Sequence, residues 1–518
     1  MIQHKMYSDF LYTKIIATLG PSSETVQQIM DLLLAGVRVF RINFSHGTFE
    51  EYENLLSNVR EAEKQTGIFA AVMGDLSGPK IRVGEVAGRG VVLTKGDLIE
   101  FVKHRLVAGT TGTEKVFSST LPQFVDEVKA GERILIDDGN LELVCLASKG
   151  TGENKKLICR VEVGGLVTSH KGINLPESEL TVPAMTEKDF QCVDFAVAKK
   201  FDILALSFVR KAEDIMLLKN RLSELEARPK MMKGISGYLD FKGKKPNLEN
   251  YIPIIAKIEK PQAIKNLESI LEETDGVMVA RGDLGVEMDL AEVAILQKKI
   301  IHMCREYGKP VIVATQMLQS MIESPVPTRA EVSDVANAIF DGADAVMLSG
   351  ETAVGKYPDK SVKMMRKIGW RTNEFLKDSQ IQSGRFITKT RYFHRAAALA
   401  HGVSTIASDV KAKMIITWTQ SGGSSVMLSQ QRMQIPIIAF GDKQARLRQL
   451  SLLYSIQPVF MKKPGSGSSF IAAADKVLLK NKWALRGDPV IFVSGDPINK
   501  TGIANRIVIH YVGESTDD

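Results

Sequence analysis

Eight short apolar runs, rich in β-branched residues, recur along roughly the first 350 residues and constrain the fold more than any other feature. Segments with helical periodicity separate most of them. In chain order the runs are 13–20, 37–44, 69–76, 201–209, 252–259, 275–285, 310–316 and 345–351. Parallel strands that are buried on both faces are continuously apolar, and eight of them alternating with helices predict a (β/α)8 TIM barrel. A doubly wound open sheet is the structural alternative.

The composition is that of an ordinary globular protein. Of the 518 residues, 44% are hydrophobic and 25% are charged, which excludes disordered, collagenous and small disulfide-rich chains. At roughly 150 residues per domain, the length suggests about three domains. The net charge of +7 is small for this length, whereas dedicated nucleic-acid binders cluster their basic residues into a patch. We therefore expect no nucleic-acid partner, and any bound anion should be small.

The sequence carries no signal for a membrane or for secretion. Its beginning has no apolar signal-peptide core, and no apolar run approaches the roughly 18 residues that a bilayer span needs. The four cysteines are scattered and form neither a CxxC pair nor a disulfide framework. These features predict a cytoplasmic protein without a membrane partner.

The rhythm of the runs breaks between the third and the fourth, where short β-prone stretches alternate with Gly, Asp and Asn turns. This pattern predicts an all-β domain inserted into a barrel loop. After residue 375 the runs KMIITW, IPIIAF, DPVIFVSG and NRIVIHYV predict a small C-terminal α/β domain. The segment 226–251 lacks clean periodicity and is interpreted as a surface excursion. The expected domain limits are 1–84 with 184–375 for the barrel, 85–183 for the inserted domain and 376–518 for the last domain.

Polar side chains stand at the carboxyl ends of the runs, where a barrel of this type carries its active residues. Because parallel strands end at one rim, these carboxylates and cations are expected to converge there. The residues at the ends are Arg41, Asn43, Ser45, His46, Asp75, Lys80, Arg82, Lys257, Glu259, Arg281, Gly282, Asp283, Thr315, Gln316, Ser349 and Glu351.

Lys257 and Glu259 are the most informative of these residues. Two positions apart in a strand, they point to the same side, so an ammonium stands beside a carboxylate. A purely structural ion pair inside the barrel is the alternative. Asp283 at the end of the next run favours a site for Mg²⁺, which takes carboxylate oxygens and completes its shell from water and a substrate phosphate. The backbone amides of Gly282 and Asp283 are further candidates for holding an anion.

Three loops resemble phosphate-binding motifs to different degrees. GETAVGKY (350–357) has Tyr357 where a P-loop needs Ser or Thr, and GDPINKT (495–501) lacks the second glycine, so both are rejected as P-loops. TQSGGSS (419–425) joins an apolar run to a helix with small hydroxyl residues and glycines, which suits an anion nest. An ordinary N-capped helix is the alternative for that loop.

Eight motifs in order resemble those of the pyruvate kinase family, in the bacterial-type form with GPKIR, over nearly the whole chain. The resemblance implies a barrel, a β-domain that acts as a mobile lid, and a C-terminal α/β domain. It also implies transfer of the phosphoryl group of phosphoenolpyruvate to ADP, followed by protonation of enolpyruvate. The motifs are RINFSHG (41–47), GPKIR (78–82), KGINLP (171–176), IIAKIE (254–259), MVARGDLGVE (278–287), ATQML (314–318), PTRAEVSDVANA (327–338) and MLSGETA (347–353).

The resemblance implies roles for the residues at the rim. Lys257 and Arg41 would contact the transferring phosphoryl group, and Glu259 with Asp283 would bind Mg²⁺ or Mn²⁺. Thr315 would hold the substrate carboxylate with the amides near Gly282 and Asp283. Asn43, His46, Arg82 and Lys171 would serve ADP or ATP. Proton delivery would run through Thr315 and water, supported by Ser349 and Glu351.

Lys80 departs from the pattern of the family members that require K⁺, which have Glu at this position of the motif. In those members the ion lies among residues that correspond to Asn43, Ser45, Asp75 and Leu76. We hypothesise that the Lys80 ammonium supplies the positive charge and that K⁺ is not required. A lysine that simply faces solvent is the alternative.

The resemblance also suggests regulation and assembly. The TQSGGSS loop is similar to the family's effector-phosphate site, which implies a sugar phosphate or nucleotide near Thr419, Ser421, Gly422 and Ser424. A homotetramer is expected, with Arg329 near a subunit interface. A Mg²⁺-dependent barrel lyase acting on pyruvate or phosphoenolpyruvate is the alternative enzyme, but it would need neither Arg82, Lys171 nor the lid. A metabolite-binding regulator without activity would predict damage at the catalytic positions, which are intact.

Overall fold

The barrel predicted from the sequence is present. A computed structural model describes residues 10–110, 115–178, 181–228, 250–378, 394–498 and 504–515. Eight strands close into a barrel in which neighbouring strands run parallel, so the (β/α)8 prediction is confirmed and the open sheet is excluded. In chain order the barrel strands are Lys14–Thr18, Val37–Asn43, Ala71–Leu76, Ile203–Leu206, Ile254–Ile258, Gly276–Ala280, Val311–Ala314 and Ala345–Leu348.

Helices surround the barrel, and several begin at a threonine N-cap. Thr25, Thr48, Thr186 and Thr328 each accept a backbone N–H three residues ahead, which satisfies a donor that the first turn would otherwise leave open. The helices in this part of the chain are Val26–Ala35, Phe49–Thr66, Glu187–Ala198, Ala212–Glu224, Pro261–Lys265, Leu267–Glu273, Arg281–Glu287, Leu290–Glu306, Gln319–Ile322 (3₁₀), Arg329–Asp341, Gly350–Ala353 and Pro358–Asp378.

The inserted segment forms mainly antiparallel sheets around its own core, which includes Phe101, Phe117 and Phe124. Its two connections to the barrel pair with each other: Val83 N–H donates to Lys171 O at 2.8 Å, beside the bridge between Arg82 and Gly172. The strands are Glu85–Val86, Val91–Leu93, Leu98–Val102, Val107–Ala108, Val116–Phe117, Arg133–Ile136, Leu141–Lys149, Lys156–Val163, Gly165–Val167 and Ile173–Asn174, with short helices at Phe124–Glu127 and Gly152–Asn154.

The C-terminal segment forms a five-stranded sheet with helices, and it contains one strand more than the sequence predicted. The extra strand, Ile456–Phe460, lies at the sheet edge, where Pro458 costs no ladder hydrogen bond because its missing N–H faces away from the sheet. The other elements are the strands Met414–Trp418, Ile437–Gly441, Pro489–Ser494 and Arg506–Tyr511 and the helices His394–Asp409, Gly423–Ser429, Gln444–Leu450 and Gly467–Lys480.

Three aspartates close the amino-terminal end of the barrel. Asp202, Asp275 and Asp344 each stand one residue before a strand, and each carboxylate accepts a backbone N–H from the neighbouring strand at 2.7–2.9 Å. Each also pairs with one arginine. The arginine partners are Arg60, Arg228 and Arg432, in that order. This end of the barrel is therefore held by three aspartate–arginine pairs in which every aspartate is buried.

The C-terminal segment seals the same end. Leu452 joins the apolar cluster that fills the barrel interior, and it is the member contributed from outside the barrel strands. Gln449 Nε2 donates to Tyr251 O at 2.7 Å, and Lys14 Nζ from the first strand donates to Ile456 O at 2.7 Å. The two parts of the chain therefore share one packed interface.

The limits expected between domains, after residues 84, 183 and 375, stay predictions. Residue 375 falls in the last turn of helix Pro358–Asp378. Most of the predicted surface excursion, at 229–249, lies outside the described residues, as do residues 499–501 of the rejected GDPINKT motif. Among the described helices, none combines the length and the apolar character that crossing a membrane requires.

Candidate active site

A cluster of charges lies at the carboxyl-terminal rim of the barrel, around Lys257. Its Nζ lies 2.9 Å from Glu259 Oε1 and 3.3 Å from Asp75 Oδ1, and it donates to Ser207 Oγ at 2.7 Å. Arg41 Nε donates to the other Asp75 oxygen at 2.7 Å. Side chains from four neighbouring strands and their ends thus form a single electrostatic unit, as the sequence predicted for Lys257 and Glu259.

Strand geometry explains this convergence. Lys257 lies in the strand Ile254–Ile258 and Glu259 comes directly after it, so the two side chains share a side of the strand. Asp75 is opposite Asn43 in the register of the second and third strands, and Arg41 lies two residues before Asn43. Each side chain therefore points to the barrel axis near the point where its strand ends.

Opposing charges set the protonation states in this cluster. Burial alone would lower the pKa of Lys257, but the carboxylates of Asp75 and Glu259 outweigh it, and the pKa lies above its ordinary value. Burial would raise the pKa of Asp75, yet Lys257 and Arg41 together hold it below the usual range. Burial raises the pKa of Glu259, and Asp283 adds to this while Lys257 opposes it. Lys257 thus stays a cation in a largely buried setting.

Glu259 and Asp283 are suited to hold a divalent cation. Carboxylate oxygens are the protein ligands that Mg²⁺ prefers, and it usually keeps only one or two of them. Asp283 is half-buried in the first turn of helix Arg281–Glu287, close enough for its charge to act on Glu259. Within the described residues no group of three or more His, Cys, Asp or Glu forms a closed metal cage. The donor set therefore fits an ion that shares its shell with a substrate.

Thr315 is held in a strained backbone conformation beside this cluster. Its φ is +68° and that of Gln316 is +54°, in the left-handed region that a β-branched residue rarely adopts. Such positions cost about 1–3 kcal/mol each and persist only where their surroundings fix them. Here Gly282 N–H donates to Thr315 Oγ1 at 2.7 Å, and Arg281 Nη2 donates to Thr315 O at 3.0 Å.

Glu351 organises the neighbouring loop. It is buried, and its carboxylate accepts the N–H of Leu318 at 3.0 Å and that of Ser349 at 2.7 Å. The carboxylate thereby ties the end of the eighth strand to the turn after Thr315. Ser349 and Glu351 thus lie on the segment expected for them, joined to Thr315 through the chain rather than by a direct contact.

The residues expected to serve a nucleotide fall into two groups. Asn43 is the half-buried last residue of the second strand, and His46 lies in the exposed loop after it. Asn43 Oδ1 accepts the N–H of Ser45, a residue expected at the monovalent-ion site, at 3.1 Å. Arg82 and Lys171 lie where the inserted segment joins the barrel. Arg82 Nη1 donates to His170 O at 3.0 Å.

The connection between barrel and inserted segment also carries an ion pair and an exposed lysine. Lys171 Nζ lies 2.7 Å from Asp137 Oδ1. Lys80 is exposed, and a Cβ built on Gly172 would come within 3.6 Å of its Cε. The Lys80 side chain therefore lies along the segment that carries Lys171. Leu76 is buried at the end of the third strand, next to Asp75.

The TQSGGSS loop lies on the separate C-terminal sheet. Gly422 N–H donates to Thr419 Oγ1 at 3.0 Å, and Gly422 has a φ of +92°. Ser421 is buried and Ser424 half-buried at the start of helix Gly423–Ser429. A Cβ on Gly422 would come 3.1 Å from Arg446 Cδ, so the loop packs closely on helix Gln444–Leu450.

Sequence reasoning missed Ser207 and Thr18, which hold the site together, and gave Arg281 no role. Ser207 stands at the end of the fourth run, and the rule that polar residues at strand ends form the rim would have found it. The sequence shows Arg281 only as a polar residue at a strand end, although it bonds the strained Thr315 carbonyl. Thr18 accepts a hydrogen bond from Arg41 Nη1 at 3.2 Å and donates to Leu348 O, a role with no signal in the local sequence.

Comparison with known proteins agrees with this geometry. The family model described as pyruvate kinase, barrel domain, matches residues 11–237 and 244–362, and that described as pyruvate kinase, alpha/beta domain, matches 397–510. A pyruvate kinase of Geobacillus stearothermophilus is 37% identical over 97% of this chain and 80% of its own length. One from Mycobacterium tuberculosis is 38% identical over 97% and 98%.

A solved structure gives the same result. The crystal structure of a pyruvate kinase from Cryptosporidium parvum superposes with a TM-score of 0.85 at 32% identity, covering 98% of this chain and 97% of that one. The match therefore includes the barrel, the inserted segment and the C-terminal sheet together. With the order of motifs, the closed barrel and the charge cluster at its rim, these similarities show that the chain belongs to the pyruvate kinase family.

Proposed function

We propose a role for each residue of the rim in the family's reaction, in which phosphoenolpyruvate gives its phosphoryl group to ADP and yields pyruvate and ATP. The observation that carries the proposal is the Lys257 ammonium, which is held between Asp75, Glu259 and Ser207 at the mouth of the barrel. A cation fixed in this way costs little reorganisation when charge develops on a transferring phosphoryl group.

Lys257 and Arg41 bind the phosphoryl group. Lys257 is 9% exposed, so its charge acts in a poorly screened setting and is stronger than it would be in water. Arg41 shares Asp75 with Lys257 and is itself oriented by Thr18. Asp75 therefore aims both cations at one place without neutralising either completely.

Glu259 and Asp283 would hold a divalent ion, Mg²⁺ or in its place Mn²⁺. When bound, such an ion neutralises negative charge on the phosphoryl oxygens. The raised pKa of Glu259 and the nearby charge of Asp283 fit two carboxylates that gain from a shared cation. The backbone amides of Gly282 and Asp283 and the Thr315 hydroxyl would hold the substrate carboxylate, which would replace the present bonds of the Gly282 N–H to Thr315 Oγ1 and of the Thr315 hydroxyl to Ala314 O.

Protonation of enolpyruvate at C3 runs through Thr315 and water. The strained Thr315 backbone fixes the hydroxyl, which accepts the Gly282 N–H and donates to Ala314 O at 2.6 Å. Ser349 and Glu351 hold the loop that borders this side of the mouth. Asn43, His46, Arg82 and Lys171 serve the nucleotide, the last two from the connection to the inserted segment.

Purified chain incubated with phosphoenolpyruvate, ADP and Mg²⁺ tests the proposal. Pyruvate and ATP should appear in equal amounts, and omission of ADP or of the metal should abolish both. Pyruvate that forms without ADP would instead indicate the barrel lyase, and no product at all would refute the assignment.

Lys80 is the basis for proposing that K⁺ is not required. Its exposed side chain places a positive charge beside the segment that carries Lys171. Activity in tetramethylammonium buffer should match that in K⁺, and the Lys80→Glu variant should become dependent on K⁺. A loss of activity by orders of magnitude when K⁺ is replaced would contradict this proposal.

A phosphorylated effector is proposed for the loop of Thr419, Ser421, Gly422 and Ser424. The left-handed Gly422 and the small hydroxyl side chains suit an anion nest. A sugar phosphate or a nucleotide monophosphate should shift the phosphoenolpyruvate saturation curve of the parent but not that of Ser421→Glu, which places a like charge in the nest. Identical shifts in both proteins would place the effector elsewhere.

A homotetramer in the cytoplasm is the proposed working form. The family resemblance supports the assembly, with Arg329 at the start of helix Arg329–Asp341 near an interface between subunits. All four cysteines are free and buried, as expected in a reducing compartment. Light scattering of the purified chain and fractionation of cells test the two statements separately.

A further inference from the structure

Glu287 is a buried carboxylate behind the rim that no step of the proposed reaction uses. Its side chain is 0% exposed, so it cannot reach a substrate. Glu287 Oε1 accepts the Asn174 side-chain amide at 2.7 Å and forms an ion pair with Lys260. Within the described residues, Glu287 Oε2 has no hydrogen-bond partner. The whole charge therefore depends on two donors.

The two donors come from segments that carry site residues. Lys260 stands directly after Glu259, and Asn174 lies in the inserted segment three residues after Lys171. Glu287 itself ends the helix Arg281–Glu287, one turn after Asp283. A single carboxylate thus joins the three segments that present the metal ligands and one nucleotide group.

A second contact links Lys260 back to the metal ligand. Lys260 Nζ lies 5.9 Å from the centre of the Phe208 ring, and the Phe208 N–H donates to Glu259 Oε2 at 2.7 Å. Lys260 therefore packs on the residue whose backbone orients Glu259. A shift of Lys260 would be felt at Glu259 through its covalent neighbour and through Phe208.

We propose that Glu287 is a positioning residue, which fastens the inserted segment and the Lys260 turn to the helix of Gly282 and Asp283. The inference rests on the proposed function of those residues. Through Asn174, Glu287 sets the distance of the nucleotide groups from the rim. Through Lys260, it sets the separation of the two metal carboxylates. Partners of this kind behind metal ligands typically affect metal affinity or activity by about 10–100-fold.

Separate variants of the two contacts, with Asn174 and with Lys260, test the proposal. Asn174→Ala removes only the link to the inserted segment, so the KM for ADP should rise about tenfold while the Kd for Mn²⁺ stays unchanged. Lys260→Met removes only the link to Glu259, so the Mn²⁺ Kd should rise about tenfold with a smaller effect on the KM for ADP. The Mn²⁺ Kd is measured by electron paramagnetic resonance on the full-length protein.

Variants of the carboxylate itself complete the test. Glu287→Ala should raise the KM for ADP and the Kd for Mn²⁺ and lower kcat. Glu287→Gln still accepts both hydrogen bonds, so its KM for ADP should return close to the parent value. The matched control is Glu292→Ala, at an exposed position on the next helix, which should leave both constants unchanged.

Two results would overturn the inference. One is a fully folded Glu287→Ala with the parent's KM for ADP and the parent's Mn²⁺ affinity. The other is an Asn174→Ala or Lys260→Met variant that loses melting temperature alone, since a merely structural contact would do no more. Mn²⁺ affinity is measured without turnover, so a parent that binds the ion yet forms no pyruvate would refute the proposed function and leave the role of Glu287 through Lys260 standing.

Discussion

The two ends of the barrel both bury charged side chains, but they use them differently. At the amino-terminal end, Asp202, Asp275 and Asp344 each pair with one arginine and accept a backbone amide. The C-terminal segment then covers this end. At the carboxyl-terminal end, one lysine lies between two carboxylates, and half-buried Arg41 and Asp283 line an open mouth.

This difference shows what distinguishes a charged side chain that stabilises the fold from one that serves binding or catalysis. At the amino-terminal end each aspartate is matched to a single arginine, so the charges of each pair compensate one another within the protein. Around Lys257 the pairing is shared, because one lysine serves two carboxylates and Asp75 also binds Arg41. Burial of charge alone would mark both ends of the barrel as sites, whereas the sharing of Lys257 between two carboxylates, and of Asp75 between two cations, marks only the rim.

Replacing Lys257 should give the largest effect and the clearest separation of the two ends. Lys257→Met should lower kcat by about 10⁴-fold, about 5 kcal/mol of transition-state stabilisation, because a fixed cation is lost from the phosphoryl group. Stability should fall less, since Asp75 keeps Arg41 and the raised pKa of Glu259 lets it take up a proton. Steady-state kinetics and thermal melting measure the two effects.

The control for this variant is Lys363→Met, which alters an exposed lysine in a surface pair with Asp359. It should leave kcat and melting temperature essentially unchanged. A Lys257→Met protein that retains more than a tenth of the parent activity would show that the rim cation is structural, like those at the other end.

The opposite result is expected from Asp344. Asp344→Asn leaves Arg432 without its carboxylate in a closed interface, which should cost about 4 kcal/mol of stability. The kcat of the folded fraction should change less than about twofold, because the rim is untouched. Denaturant melts with parallel activity assays check this. A loss of kcat without a loss of stability would show that Asp344 serves catalysis rather than stability, contrary to the comparison of the two ends.

Truncating Leu452, which fills the barrel interior at its amino-terminal end, should have a somewhat smaller effect. Leu452 is 4% exposed and contacts the interior cluster, so Leu452→Ala should cost about 3 kcal/mol through lost burial and a residual cavity. Leu452→Met, which conserves volume, should restore most of that stability. Equal melting temperatures for the alanine variant and the parent would mean that packing of Leu452 against the barrel interior adds nothing to stability.

The smallest expected effect is a pH dependence at the amino-terminal end. Burial alone would raise the pKa of Asp275, but Arg228 outweighs it and lowers the pKa to about 2. A carboxyl whose pKa is depressed on folding adds stability above its ordinary pKa and loses it as pH falls toward the folded value. The contribution of about 2 kcal/mol should therefore disappear between about pH 4 and pH 2.

Asp275→Asn removes the titrating group, so its melting temperature should fall less steeply than the parent's over that interval. Parallel curves for the two proteins would show that Asp275 keeps an ordinary pKa. The same measurement on Glu259→Gln should not reproduce the effect, because burial shifts the pKa of Glu259 upward rather than downward.

Much of this architecture can be inferred from the sequence because its signals are local. Apolar runs of the right length identified all eight barrel strands, and residue spacing placed Lys257 and Glu259 on one side of a strand. The polar ends of the runs identified most of the rim. Each of these features is set by the residues of a single strand, so it can be inferred without knowing which other strands lie beside it.

What the sequence could not supply depends on contacts between distant segments. The three aspartates that precede strands look alike in the sequence, yet only the fold pairs them with Arg60, Arg228 and Arg432. Glu287 likewise gives no sign of bonding a residue 113 positions earlier. The strand Ile456–Phe460 was missed because Pro458 argues against a strand until the edge position is known.

Leu452 also bears on how the chain is made. Synthesis delivers the eighth barrel strand, which ends at Leu348, well before the residue that completes the barrel interior. Until residue 452 and the loop around it arrive, the nascent barrel has an unfilled apolar opening and an Asp344 without its arginine. The barrel therefore completes its folding only after the C-terminal segment has been translated, and a chain that stops between the two exposes an apolar surface prone to aggregation.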